Sequence, residues 1–318
     1  MKLSAILPVA RVLRRELAVT ALLLLGVSVV VFAVLYLAPG DPLNVLLEGQ
    51  SPRAQLAARE ALGVPHTWYG RYGTWLAKVL QGNFGNSIRT GLPVLPELAR
   101  VGVNTLVLTL GSLLLTLVIA VPIAVHAAVN GDTAGNTAAT VAAYVLSAVP
   151  VFWFGYIVVY VFIHWFGMFP LISGAATKQP HAWLYFLVPI FVLGTASGTL
   201  AELIRHLREE LSRVLAEDYI RTARAKGAAV WRHAFKEGFL IPVTEIMSAK
   251  IPFLLGGAVI VEQVFNWPGM GRMAWQAAQD RDFPVIMGVA LVAAAFVRTG
   301  NLLQRVVFTM VNPRASKE

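Results

Sequence analysis

The chain has 318 residues, of which 57% are hydrophobic and 14% charged. A net charge of +9 would suit nucleic acid in a soluble protein. Here several apolar runs reach the roughly 20 residues that cross a bilayer, so the basic residues are better assigned to segments flanking membrane spans, with no nucleic-acid partner. The absence of cysteine excludes disulfides and thiolate metal sites.

Lys2, Arg11, Arg14 and Arg15 precede the apolar run Leu17–Ala38. That run is longer than the apolar region of a signal peptide and ends in "LAPGDP" without a small-x-small cleavage site, so it is expected to be a retained first span. A long connection follows, Pro39 to Gly102. Within it "SPRAQLAAREALGV" has helical spacing, and "WYGRYGTWLAKVL" is amphipathic, with Trp68, Tyr69, Tyr72 and Trp75 suited to the membrane interface. A small external cap of short helices is expected there.

Five further spans are expected near Thr105–Ala128, Thr137–Phe166, Trp183–Ile204, Pro242–Val264 and Val285–Val307, each a helix because lipid offers no partner to an open backbone amide. Pro122, Pro150, Pro189 and Pro252 fall inside spans and predict kinks, either around a pathway or as ordinary bends in a bundle. Six spans put both termini on one side. With the N-terminus inside, 15 of the 26 Lys and Arg face the cytoplasm. The expected organisation is a cytoplasmic segment over 1–16, a six-span domain over 17–308 with an external cap loop at 39–102 and a cytoplasmic loop at 205–241, and a cytoplasmic tail at 309–318.

The connection from the fourth to the fifth span holds a dense polar island. In "AEDYIRTARAKGAAVWRHAFKEGFLIPV" five basic and three acidic residues sit between apolar runs. Ile220, Ala223, Gly227 and Val230 recur at helical spacing, predicting a helix over Tyr219–Trp231 that Ile241-Pro242 stops at the next span. Ala223, Gly227, Ala228 and Ala229 keep one face small enough for close approach of another helix. Charge patterning alone would equally suit a loop lying on the membrane surface.

"EDYIRTARAKG" followed by "LIP" resembles the cytoplasmic motif of permease subunits in binding-protein-dependent ABC importers of the dipeptide, oligopeptide and nickel branch. The order of further segments carries the resemblance along nearly the whole chain: "APGDP", "ALGV", "YGTWLAKVLQGNFGNSI", "TGLPV", "SAVPVFWFG", "FPLISG", "LLGGAVIVEQVFNWPGMGR", "RDFPVIMG" and "VNPR". One departure is the short interval of fourteen residues between Gly227 and Pro242.

The resemblance implies an all-α membrane protein of six transmembrane helices, similar to a type I ABC importer permease, with a cytoplasmic coupling helix that docks on an ATPase. It implies Glu217, Asp218, Tyr219, Ala223, Arg224 and Gly227 as the ATPase-coupling residues. It further implies a second homologous permease, two ATPase subunits and an external binding protein as partners, in a bacterial cytoplasmic membrane. Peptides, nickel or metallophore chelates, haem or glutathione-like molecules are the implied range of substrates.

No phosphate-cradling G-x-x-x-x-G-K-[ST] stretch occurs, so ATP and magnesium are expected on partner ATPase subunits and no cofactor in this chain. His66, His126, His164, His181, His206 and His233 are scattered, and no catalytic constellation stands out; the chain is not expected to be an enzyme. The rival reading is a self-sufficient six-span secondary transporter or channel. Glu262, Lys250 and Arg298 lie in or near spans and are candidate pathway or subunit-contact charges. For Glu262 a bond to the following loop is favoured. Lys250 is open to a substrate carboxylate, to Glu245 about one turn away, or to a partner subunit, Arg298 to the same classes of neighbour, and either to snorkelling toward the membrane surface.

Overall fold

A computed structural model describes residues 6–38, 67–131, 133–167, 182–196 and 198–311; side chains at 6–13, 182, 232, 233, 236, 245–254 and 307–311 lie outside the described set. The described residues are helical almost throughout. The helices are α1 (Ile6–Leu37), α2 (Trp68–Leu80), α3 (Val94–Asn130), α4 (Ala134–Ala148), α5 (Val151–Phe166), α6 (Ala182–Ala196), α7 (Thr199–Ala216), α8 (Asp218–Ala225), α9 (Val230–Ala234), α10 (Ile241–Val264), α11 (Met270–Gln279) and α12 (Phe283–Val311).

By length and composition α1, α3 and α12 can each cross a membrane, and two bent pairs of helices raise the number to as many as five. The expected third span, Thr137–Phe166, is one such pair. Its halves α4 and α5 meet at 102°, with Pro150 as the N-cap of α5. Proline disfavours α geometry at the residue before it, and Val149 is extended at ψ 128. The expected fourth span is likewise divided into α6 and α7, bent by 55°. In α10 the described apolar stretch is Leu255–Val264. The "SPRAQLAAREALGV" segment of the expected cap lies outside the described residues. α2 is present, started by Thr67, whose hydroxyl accepts the Gly70 N–H at 3.3 Å.

α3 is the central helix and packs on α6, α7, α10, α11 and α12. Helices in lipid gain no hydrophobic drive from associating, so close approach and interhelical hydrogen bonds must hold them. Both are visible along one stripe. The Ser112 hydroxyl bonds the Leu108 and Ile190 carbonyls, and the Thr116 hydroxyl those of Ser112 and Gly194. A Cβ on Gly194 would stand 2.9 Å from the Ser112 carbonyl oxygen, so that crossing requires glycine. At the cytoplasmic end expected from the sequence, Leu200, Leu203, Ile204 and Leu207 of α7 bury one face against Ala120 and Ala124 of α3 and Ala143 of α4. At the other end Val94, Leu98 and Val101 of α3 pack on Met270, Ala277, Val285 and Val289.

α1 is peripheral. Only 6% of its apolar window is buried, chiefly against α12. The Ser28 hydroxyl meets the Tyr72 hydroxyl at 2.8 Å, and Phe32 packs edge-on to Tyr72, tying α2 to it.

Candidate functional site

The polar island folds differently from the single helix expected over Tyr219–Trp231. α8 ends at Ala225, and Gly227 follows in the left-handed region at φ +70. The Ala228 N–H bonds the Ala223 carbonyl at 2.9 Å and the Gly227 N–H bonds that of Arg224 at 3.1 Å. This pairing closes a helix end with glycine in the αL position. Spacing pointed to Gly227 as a member of a small face, but its structural duty is the turn. A Cβ there would meet nothing within 4 Å, whereas the backbone conformation is one that side chains rarely adopt.

The same packing reassigns Ala223. Ile220 and Ala223 are buried within this chain, with Ile220 clustered against Val214 of α7 and Ala234 of α9. Ala223 therefore sits on the face that docks α8 onto its own protein. The outward face carries Glu217, Asp218, Tyr219, Arg221, Arg224, Lys226 and Gly227, all exposed. Asp218 occupies the first turn and Arg224 the last, each at the end of the helix dipole that favours its charge. Asp218 and Arg221 pair at 3.4 Å but are so exposed that the contact adds little. The Tyr219 hydroxyl donates to Glu237 at 3.1 Å; partial burial and then this bond push the phenol above its ordinary pKa.

Two exposed aromatics, Trp231 and Phe235, stand on the segment that follows. Composition hid them, because large apolar side chains are common throughout this sequence. The helix also fails to stop at Pro242. α9 continues through a π-helical turn, Phe235–Leu240, directly into α10. Proline at 242 cannot donate to the carbonyl four residues back, and a wider turn just before it absorbs that mismatch. Gly238 in this turn lies against α7, where a Cβ would stand 3.1 Å from Leu211.

Glu262 and Arg298 take part in separate sets of contacts. Glu262, fully buried near the end of α10, accepts the Thr105 hydroxyl at 2.7 Å on Oε1 and the Arg272 backbone N–H at 2.8 Å on Oε2. Thr105 in turn accepts the Met270 N–H at 2.8 Å, and the Trp267 indole donates to the Asn104 carbonyl at 3.1 Å. The carboxylate thus staples α3, α10 and α11 together. Arg298 of α12 meets Glu16 of α1 at 2.8 Å and Thr20 at 3.2 Å, and Arg305 reaches the other Glu16 oxygen at 2.6 Å. Glu16 was not singled out from the sequence because it falls one residue before the apolar run; the signal was the spacing of Arg298 and Arg305, two turns apart on one helix. The side chains of Lys250 and Glu245 lie outside the described residues.

A cleft of about 270 Å³ opens beside α11 and the start of α12. Asp282 lines it, almost fully buried, and accepts the Ser87 hydroxyl at 2.5 Å and the Arg89 N–H at 3.3 Å. Arg89 also pairs with Asp280 at 3.0 Å. These bonds fix the connection 81–93 to the start of α12.

A family model described as binding-protein-dependent transport system inner membrane component matches residues 120–317. The chain is similar to the oligopeptide transport system permease protein AppB of Bacillus subtilis, 37% identical over 317 residues that cover 96% of this chain and 98% of that protein. It is 33% identical over 308 residues to the glutathione transport system permease protein GsiC of Salmonella typhimurium, covering 95% of this chain and 97% of the relative. It is 29% identical over 328 residues to the dipeptide transport system permease protein DppB of Alkalihalophilus pseudofirmus, covering 94% and 97%.

Proposed function

The chain belongs to the inner-membrane components of binding-protein-dependent transport systems, as an ABC importer permease of the peptide branch, and from that premise we propose that it carries peptides, or a peptide-like solute such as glutathione, into the cytoplasm at the expense of ATP hydrolysed on a separate subunit. Nickel or metallophore chelates are the further substrates of this reading. It works beside a second homologous permease, two ATPase subunits and an external binding protein. The proposed orientation puts both termini and the polar island in the cytoplasm, supported by the 15 of 26 basic residues that fall on that side.

The observation that carries the coupling role is the mounting of α8. Its inner face is packed on α7, while its outer face presents charge and Tyr219 to solvent. On its far side the chain runs through α9 and the π turn into α10 without a helix break. A push on α8 is thereby passed directly to α7, joined to α6, and through the short turn at 226–229 and α9 to α10. Glu217, Asp218, Tyr219, Arg224 and Gly227 are the proposed contact residues, with Trp231 and Phe235 beside them, and Ala223 supports the helix from behind.

The test is reconstitution with the partner subunits in liposomes, with uptake of peptide followed with and without Mg-ATP on the α8 side. Uptake is expected only with nucleotide and the binding protein. Gradient-driven uptake by this chain alone would establish the secondary-transporter reading instead.

A further inference from the structure

The cleft of about 270 Å³ beside α11 combines apolar walls with a buried acid. Leu92, Val94, Met273 and Ala277 line it together with Asp282, which is 3% exposed. Asp282 uses only one of its two oxygens. Oδ2 accepts the Ser87 hydroxyl and the Arg89 N–H, while the buried Oδ1 has no hydrogen-bond partner among the described residues. A buried carboxylate oxygen without a donor is costly, and native proteins seldom leave one so. The cleft also holds its shape by itself. The Ser87 N–H bonds the Leu92 carbonyl at 2.9 Å and the Val94 N–H that of Gly85 at 3.0 Å, so an occupant would have little ordering to do.

Three properties define the occupant. First, the arginines that share the cleft are committed to other groups. Arg89 pairs with Asp280 at 3.0 Å, Arg100 with Glu97 at 2.8 Å, and the Arg272 guanidinium donates to the Asn266 carbonyl at 3.0 Å. The missing donor must therefore come from another molecule. An ammonium or guanidinium on an aliphatic stem suits both parts of the cleft, with its stem along the apolar walls and its head on Oδ1. Second, the volume is below the roughly 300–1,000 Å³ of small-molecule sites, so it holds one side chain rather than a peptide. Third, the cleft lies at the Val94 end of α3, whereas α7, which carries the polar island, packs at the Ala120 end. At the helical rise these are about 39 Å apart, which puts the cleft at the opposite membrane face from α8.

Resting on the importer reading, we propose that this cleft is a socket for one lysine or arginine side chain of the external binding protein, whose charged head supplies the donor that Asp282 lacks. A charge pair closed off from water in this way anchors a complex and fixes its register, while the paired charges at the rim add little. The same carboxylate ties the connection 81–93 to the start of α12, so the docked side chain acts directly on a membrane helix.

The test uses the complete importer in lipid nanodiscs and the binding protein that supports its peptide uptake, with docking affinity read from the fluorescence anisotropy of the labelled binding protein. Asp282→Asn keeps an oxygen for Ser87 and Arg89 but removes the charge, and is expected to weaken docking about tenfold or more. Gln276→Trp crowds the cleft from its half-buried rim without touching the Asp282 bonds, and is expected to weaken docking similarly. The surface lysines and arginines of the binding protein are then replaced by methionine one at a time. One of them is expected to cost about tenfold against the native importer and less than about twofold against Asp282→Asn. Native docking by Asp282→Asn, or by Gln276→Trp where Asp282→Asn fails to assemble, would overturn the socket while leaving the importer reading intact. So would losses that are equal in both importer backgrounds for every basic residue. Native docking by Asp282→Asn with selective loss of uptake of lysine-containing peptides would put substrate in the cleft and equally overturn the socket. Failure of the unaltered importer to take up peptide with any binding protein would overturn both readings.

Discussion

Glu16 and Arg298, 282 positions apart in the sequence, meet at 2.8 Å, both largely buried, and they fix α1 to α12. Removing one member of a buried ion pair leaves the other uncompensated and costs about 3–5 kcal/mol. Glu16→Ala is therefore expected to lower the thermal stability of the purified complex more than Arg298→Met, because Glu16 also serves Arg305. The double variant should lose less than the two losses combined, with a coupling of ~0.5–3 kcal/mol. Strict additivity in detergent melting curves would show that the pair contributes no mutual stabilisation.

Gly269 offers a sharper steric test. Its φ of −113 is open to any residue, but a Cβ there would overlap the Glu262 carboxylate. Gly269→Ala should then be destabilising by about 1–3 kcal/mol or more, as overpacked buried sites are. Shortening the acid relieves the overlap, so Gly269→Ala should cost less in a Glu262→Ala background than in the native one. Equal costs in both backgrounds, read from complex yield and melting temperature, would contradict this geometry.

At Gly227 the constraint is backbone conformation. The left-handed region costs an ordinary residue roughly 1–2 kcal/mol and asparagine less. Substrate-stimulated ATP hydrolysis by the assembled importer should fall in the order Gly227, Gly227→Asn, Gly227→Ala, Gly227→Val, with expression unchanged. A variant such as Gly227→Val with full stimulation would mean that the turn after α8 plays no part in coupling.

The chain by itself has no phosphate-binding loop in its sequence. The purified subunit is expected to show no ATP turnover above a boiled control and no saturable nucleotide binding by calorimetry. Turnover that persists after every partner is removed would reveal an unrecognised site.

The apolar runs made the membrane helices legible, since only length and hydropathy are needed for that. What the sequence hid were features that depend on two distant segments meeting. Pro150 announced a kink, but an angle of 102° is set by the packing of α5 on α6 and α10. Ala223 and Gly227 shared a helical spacing, yet one faces inward and the other ends the helix, a difference decided by where Val214 and Ala234 lie. Pro242 carried the usual signal of a helix stop, and a π turn upstream let the helix pass through it. For Glu262 a bond to the following loop was expected, and its backbone partner Arg272 lies ten residues on but just inside α11, while Thr105, its other partner, lies 157 positions away.

The attachment of α1 has a consequence for the order of events on the ribosome. α1 is made early, but its principal neighbour, α12, follows some 282 residues later. At about 5–20 residues per second that interval is roughly 15–60 s. Throughout it the first helix stands in the bilayer with its Glu16 carboxylate lacking the arginines that later enclose it. Its insertion must be secured by its own apolar length and by the arginines at 14 and 15 just before it, and its docking is among the last steps of assembly. A lesion in the Glu16 contact would therefore show itself late, as finished chains that mature slowly or are removed, rather than as chains that fail to enter the membrane.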